Sequence, residues 1–268
     1  MQLFYRLTSA LNRYTLCVIN LGFLSCVKII FFRFIKSKKI KCLTTKKFKK
    51  VYFRPSGDFG VLTHFFTPQI NFSVEKNKIK TIFDIGANIG TQSKRFEKLF
   101  PISKIISVEL EKNNFELLKK NTEGSDNIIP VNYAVWNSNS VVKILEKEGN
   151  NNQSFKVKTI ETEKNTKVVK SVTIDALMNE FKVKHIDLLK IDIEGAEEVI
   201  FDKSCDNWIA SVDIIVMECP DDDAPLTVQK VFEAFRRNAI AVNTYVHGEH
   251  IVFCKKGIQA QLTSIEIY

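Results

Sequence analysis

Residues 81–121 read TIFDIGANIGTQSKRFEKLFPISKIISVELEKNNFELLKKN, two successive units of a short apolar run followed by a stretch with helical spacing. The first run, Ile79–Asp84 (IKTIFD), predicts a buried strand that ends on an acid and opens into a glycine-containing loop. Thr91–Phe100 places Phe96, Leu99 and Phe100 on one helical side, and Pro101 stops the helix because it lacks an N–H and clashes with the turn before it. Lys104–Glu109 (KIISVE) predicts a second strand, again ending on an acid. Asn113–Asn121 predicts a second helix, opened by an N-cap Asn and carrying Phe115, Leu117 and Leu118 inward. Strands that alternate with helices imply right-handed crossovers and a parallel sheet covered on both faces.

The alternation continues downstream. Ile128–Val135 predicts a third strand, residues 137–170 irregular strands or a hairpin insertion, and Ile174–Phe181 a helix. His185–Asp192 (HIDLLKID) predicts a buried strand, Gly195–Phe201 a helix, and Val212–Glu218 (VDIIVME) another strand. Leu226–Arg237 spaces Val228, Val231, Phe232 and Phe235 as one helical face. Ala239–Val246 and His250–Cys254 close the chain around a His247-Gly248-Glu249 turn, a link too short for a crossover, so this pair is antiparallel. The fold class is therefore α/β: a doubly wound, mostly parallel sheet with an antiparallel last strand. Ligands of such sheets bind at the carboxyl ends of the strands.

The loop after the first strand is Asp84-Ile85-Gly86-Ala87-Asn88-Ile89-Gly90. Its glycines allow a sharp turn, and the helix behind it offers free N–H groups. Glu109 ends the second strand, 25 residues beyond Asp84, where a carboxylate grips the hydroxyls of a ribose. The loop has neither G-x-G-x-x-G nor the Lys-Ser/Thr of a P-loop, which disfavours a dinucleotide or a triphosphate. An adenosyl ligand without phosphates fits better.

These residues resemble the FkbM family of S-adenosylmethionine-dependent methyltransferases. The shared pattern is D-x-G-A-N-x-G, then F-P, then an acid followed by N-F-x-x-L-x-x-N. A second block runs Thr173-Ile174-Asp175-Ala176-Leu177, then Ile186 to Glu197 (IDLLKIDIEGAE). Upstream, Arg54-Pro55-Ser56-Gly57-Asp58 resembles an R-x-G-T-S-D segment in shuffled form, which leaves its role open. Leu110 stands where the family has Pro. The resemblance covers about residues 51–255. It implies a class I methyltransferase (Rossmann-like) fold with seven strands in the order 3-2-1-4-5-7-6, strand 7 antiparallel. It also implies transfer of a methyl group to a hydroxyl of a sugar, glycan or similar small acceptor.

The expected cofactor residues follow. Asp84 orients the methionine end, Gly86, Ala87 and Gly90 give the cofactor room, and Asn88 adds a polar contact to its carboxylate. Glu109 binds ribose. A backbone N–H within Ala134–Trp136 reads the adenine edge, and Trp136 packs either on the ring or into the core. Methyl transfer is an in-line displacement, so the enzyme's work is alignment and removal of the acceptor's proton. Asp192 and Glu218 end two strands expected to be neighbours, and their carboxylates form the catalytic pair, with Asp192 also bordering the cofactor. Glu194 is a further candidate for substrate contact, or else supports a helix N-terminus; Lys190 pairs with Asp192. Base catalysis without a metal is the reading here, and Mg²⁺ on the same carboxylates is the alternative. No zinc-ligand spacing exists among the six cysteines. Of the histidines, His247 in the last turn is read as structural or merely exposed, and Asp221–Asp223 as a solvated loop.

Composition bounds the rest. The 268 residues are 45% hydrophobic and 26% charged with ten Gly and six Pro, which excludes collagen-like, low-complexity and largely disordered chains. The net charge of +9 is unevenly placed: residues 1–57 hold thirteen Lys/Arg and no acid, leaving 26 bases against 30 acids beyond them. Residues 1–50 are thus read as an apolar and polybasic N-terminal extension, and 51–268 as the catalytic domain. Tyr14 to Val27 carries no charge, and eight lysines fall within Lys36–Lys50. No small-residue cleavage site follows the apolar run, which counts against a secretory signal. Three readings remain for residues 14–50: a membrane span, a helix lying on an anionic membrane surface, or a helix packed on the body with a solvated lysine loop. Reduced cysteines and the positive-inside bias place the body in the cytoplasm, at the inner face of a membrane if it is anchored. A mildly acidic body disfavours nucleic acid as a partner. Two other functions stand beside the leading one: an RNA methyltransferase that uses the lysine block on phosphates, and an inactive, membrane-associated protein that only binds the cofactor.

Overall fold

The computed structural model describes residues 23–34, 39–45, 48–58, 61–62, 76–146, 155–159, 168–193, 196–218, 226–247 and 250–258. Helix α1 spans Phe23–Phe34, and a hairpin of β1 (Lys41–Thr45) and β2 (Lys49–Phe53) follows. The alternating body contains β3 (Thr81–Ile85), α2 (Thr91–Leu99), β4 (Lys104–Val108), α3 (Lys112–Thr122) and β5 (Ile128–Val131). It continues through β6 (Ala134–Val135), β7 (Val141–Glu146), β8 (Phe155–Thr159), β9 (Val168–Val172), α4 (Ile174–Glu180) and β10 (Ile186–Ile191). A short α5 (Glu197–Ile200), β11 (Val212–Glu218), α6 (Thr227–Arg237), β12 (Val242–His247) and β13 (His250–Lys255) complete it.

Seven strands form the central sheet in the order β12-β13-β11-β10-β3-β4-β5. Every pairing from β11 to β5 is parallel, and β13 runs antiparallel to both its neighbours. This is the expected order 3-2-1-4-5-7-6 read from the other edge, with strand 7 reversed. Alternate residues of each strand feed opposite faces, as the two-residue period of a strand requires. Phe83, Ile106, Leu189 and Ile215 pack with Leu177, Ile200, Val231 and Phe235 of the helices on one face. Their neighbours Ile82, Ile105, Leu188 and Ile214 pack with Phe96 and Phe100 on the other.

Three expectations need correction. The third strand is not continuous: β5 stays in the central sheet, while β6 leaves it to pair with β9 in a four-stranded sheet β6-β9-β7-β8, the insertion foreseen over 137–170. The break falls at Asn132, whose amide donates to the carbonyls of Glu109 and Leu110 and so turns the chain back toward the site. Helix α3 is capped by Glu111, which accepts from the Asn114 N–H, rather than by an Asn, and Phe115 is only half-buried. On α6 the inward face is Thr227, Val231, Ala234 and Phe235; Phe232 sits at its margin, edge-on to Phe253.

The N-terminal elements pack on the body. Cys26 and Ile29 of α1 join Leu43, Phe48, Val51 and Phe53 of the hairpin in a cluster with Ile89 and Leu117. The polybasic segment therefore includes an ordered hairpin rather than a loop alone, and a boundary at residues 50/51 cuts β2. Among the described residues no helix is long and apolar enough to cross a membrane; Tyr14–Gly22 lie outside them.

Candidate active site

The loop at the carboxyl end of β3 is held by the strands beside it. The N–H groups of Gly86 and Ala87 both donate to Val108 O, and Asp192 N–H donates to Ile85 O. Gly86 and Gly90 adopt φ of 79° and 87°, where side chains are strained. A Cβ on Gly86 would lie 1.7 Å from the Asp192 carbonyl oxygen, and one on Gly90 2.8 Å from Leu118 Cδ1. The glycines are thus needed to pack the loop against the protein itself, a different reason from room for a ligand. Asn88 also takes a positive φ, of 50°, which Asn tolerates better than most residues.

Asp84 is fully buried. Its Oδ2 accepts from Ser93 Oγ at 2.6 Å, and Ser93 in turn accepts from Ser107 Oγ at 2.9 Å, which pins the first turn of α2 to β3 and β4. Its Oδ1 makes no hydrogen bond, and neither does Asn88 Oδ1. Asp84 Oδ1 lies 3.5 Å from Lys190 Nζ, whereas Asn88 Oδ1 is a buried acceptor without a donor and suits an incoming ammonium group.

Glu109 is 5% exposed at the end of β4. Its carboxylate accepts from Asn88 N–H and Glu111 N–H, each at 2.8 Å. Burial pushes its pKa up from 4.5 to about 7, and nearby Glu111 adds to the rise; the N–H donors and the Asn114 side chain pull against it. The group is thus poised near neutrality, with two backbone donors in place and lone pairs left for further hydroxyls.

Lys190 organises the neighbouring strand end. Its Nζ lies 3.0 Å from Asp192 Oδ2 and 3.5 Å from Asp84 Oδ1, and donates to Gly86 O at 3.1 Å. Burial lowers its pKa, but Asp192, Asp84 and Glu218 outweigh that and raise it, so the ammonium stays charged. The register pairs Ile191 with Met217, so Asp192 and Glu218 leave adjacent strands at the same level, both half-buried. Structure thus brings Asp84, Asp192 and Glu218 around one cation.

Residues 84–240 match the Methyltransferase FkbM domain. The chain belongs to the FkbM methyltransferase family. It resembles the solved methyltransferase FkbM of Methylobacillus flagellatus KT at 10% identity and TM-score 0.45, over 66% of this chain and 43% of that one. It also resembles the precorrin-6y C5,15-methyltransferase of Geobacter metallireducens GS-15 at 15% identity and TM-score 0.38, over 66% and 79%. Aeropyrum pernix fibrillarin, solved with natively bound S-adenosyl-L-methionine, is similar at 10% identity and TM-score 0.39, over 66% of each chain. No curated protein matches the chain. Membership of the FkbM family rests on the match of sequence.

Within the FkbM domain other expected residues fall differently. Trp136 lies in the main core and its N–H donates to Val172 O at 2.9 Å, so that N–H is not free to read an adenine edge. Ala134 is buried beside it in β6. Glu194 and Asp221–Asp223 lie outside the described residues, as does the side chain of His247. His185, Asp187 and Asp213 cluster at the amino ends of β10 and β11, the edge opposite the site, and Asp187 there accepts the N–H groups of Lys80 and Thr81. A groove of about 700 Å³ between the hairpin and helices α2 and α3 is lined by Lys50, Tyr52, Lys98 and Lys120, with neither Asp84 nor Glu109 in its wall. Sequence reasoning missed Ser93, Ser107, Glu111 and Asn114. Ser107, a lone polar residue in the apolar run of β4, was the available signal.

Proposed function

We propose that this FkbM family member is an S-adenosylmethionine-dependent O-methyltransferase acting on a hydroxyl of a sugar, glycan or similar small acceptor. The observation that carries the reading is Glu109, a buried carboxylate fixed by two N–H groups directly across from the Gly86–Gly90 loop. When bound, the cofactor supplies an electrophilic methyl on a sulfonium, a good leaving group, so the protein must align the acceptor and take its proton. Glu109 holds the ribose hydroxyls, and Asn88 Oδ1, a buried acceptor without a donor, receives the ammonium of the methionine end, with Asp84 Oδ1 already ion-paired to Lys190 nearby. Asp192 is oriented by Lys190 at the mouth of the site. Glu218, at the same level of the next strand, accepts the acceptor's proton. The test is calorimetric binding of S-adenosylhomocysteine to wild type and Glu109→Ala. Saturable one-to-one binding that the substitution weakens ten-fold or more, about 1.4 kcal/mol, supports the site; no binding by folded wild type overturns it.

We also propose that helix α1 lies on an anionic membrane surface. Helix α1 buries Ser25, Cys26 and Ile29 on the hairpin, while its opposite side presents Phe23, Leu24, Val27 and Phe31, the first two at 69% and 75% exposure. Exposed Lys28, Lys39, Lys49 and Lys50 flank that apolar face in sequence, a combination suited to acyl chains bordered by phosphate head groups.

A further inference from the structure

We infer that Arg54 and Asp58 are positioning residues of the cofactor site, acting through Asn114 to present a hydrogen-bond donor to Glu109. The inference deepens the proposed function, since it takes Glu109 to be the ribose carboxylate. Arg54 and Asp58 follow β2 and form a closed turn in which Asp58 N–H donates to Arg54 O at 3.0 Å. Asp58 is wholly buried, and Arg54 is 8% exposed. Asp58 Oδ2 accepts from the Arg54 backbone N–H at 2.6 Å and from Nε at 3.0 Å, and Oδ1 accepts from Nη2 at 2.7 Å. The same Nη2 also donates to Asn114 Oδ1 in the first turn of α3.

That contact decides which way the Asn114 amide points. A guanidinium only donates, so it must meet the amide oxygen, and the amide NH₂ is left facing the other way. The Asn114 side chain hydrogen-bonds Glu109, and a carboxylate only accepts, so the two ends of the amide are matched to their partners. A flipped amide would set its oxygen against the carboxylate and its NH₂ against the guanidinium, two repulsive contacts in a site where Asn114 is 1% exposed. The order Asp58, Arg54, Asn114, Glu109 thus alternates acceptor and donor without a gap. The shuffled upstream motif thereby ties the N-terminal segment to the carboxylate at the end of β4.

The consequence is a property of Glu109 that packing alone would not set. Charged groups around it are Glu111 on the same loop and, one amide away, the Arg54–Asp58 pair. The Gly86–Gly90 loop presents N–H groups and no charge, Lys112 at the start of α3 is exposed, and Asn132 and Tyr133 from the next strand carry none. Losing the Asn114 donor leaves burial, and Glu111 beside it, less opposed, which favours the protonated acid, and a protonated Glu109 accepts from ribose poorly.

The experiment is calorimetric titration of S-adenosylhomocysteine into the full chain between about pH 5.5 and 9, with thermal unfolding of each sample alongside. Wild type is expected to bind more tightly as pH rises through about 7. Arg54→Met and Asn114→Leu are expected to bind about ten-fold more weakly at pH 7, with the midpoint of the profile moved up by about one pH unit and part of the affinity recovered at pH 9. Asn114→Leu keeps the Arg54–Asp58 pair and so reports on the relay even where loss of Arg54 unfolds the protein. A lowered melting temperature with the wild-type pH profile in both variants would mean a purely structural pair and overturn the relay. Glu109→Gln separates the two readings: wild-type affinity and profile in that variant overturn the ribose assignment itself, and the relay with it. Loss of the profile in Glu109→Gln, with an unmoved midpoint in Asn114→Leu, overturns the relay alone.

Discussion

Glu109 shows what a buried carboxyl costs a fold. In the free protein its carboxyl holds its proton to about pH 7, against 4.5 ordinarily, because burial outweighs the donors around it. Below the lower value both folded and unfolded chains are protonated there and the group's contribution is complete. Between the two values the folded chain keeps a proton the unfolded chain has released, so stability falls as pH rises, by on the order of 3 kcal/mol, and is level above. Glu109→Gln removes this dependence. Urea unfolding at pH 5 and pH 8 without cofactor should show the variant gaining on wild type at the higher pH; parallel profiles would mean the carboxylate is not buried as described. Lys190 is the opposite case. It stands among Asp84, Asp192 and Glu218, each of whose negative charges favours its charged form, so its positive charge is an asset to the fold at every working pH. The places of Asp84 and Glu109 at the carboxyl ends of β3 and β4 were legible from position alone, because each closes a short apolar run. Asn114 was not, since nothing in one sequence says that residue 114 meets residue 54.

At the scale of elements, the strands were legible where apolar runs are short and bounded, as in β10 and β11, whose alternate residues fill both faces of the sheet. The split of the third strand was not, because Ile128–Val135 reads as one apolar stretch; the Asn132 amide, bonding two carbonyls of another loop, breaks it. The α3 cap was misplaced for a related reason. Glu is an uncommon N-cap, and here its carboxylate reaches the Asn114 N–H because the preceding loop is held by Glu109. The hairpin is the element whose status matters most. Phe53 is fully buried and meets Phe32 edge-on, with ring centroids 5.8 Å apart. Phe53→Ala should cost roughly 3–4 kcal/mol in urea unfolding and, by loosening Arg54 beside it, weaken binding of S-adenosylhomocysteine. A separate early transition with cofactor binding untouched would instead make the hairpin an independent appendage.

Across the whole molecule, charge is sorted by position: thirteen bases and no acid in residues 1–57, and four more acids than bases beyond them. Through the hairpin the described part of the basic segment is tied to the body: α1 packs on β1, and β2 packs on α3. Sedimentation with vesicles checks the membrane reading. The chain should pellet with phosphatidylglycerol vesicles at about 50 mM salt, pellet far less at about 500 mM, and stay in solution with phosphatidylcholine. Equal binding to both lipids would leave the lysines without a role, and no binding to either would leave α1 for another partner.

The sequence by itself determined the sheet class, the site edge and the acids at the strand ends. Those depend on local period and on the chain order of strand, loop and helix, which a single sequence carries in full. The tertiary structure decided which partner each polar side chain finds. Asn114 meets Arg54, Lys190 meets Asp84, and the Asp192 carbonyl lies against Gly86, each pairing joining segments far apart in the chain. Such contacts follow from how whole elements dock, and docking is set by the shape of the packed core, to which every buried side chain contributes and no single stretch of sequence is a guide.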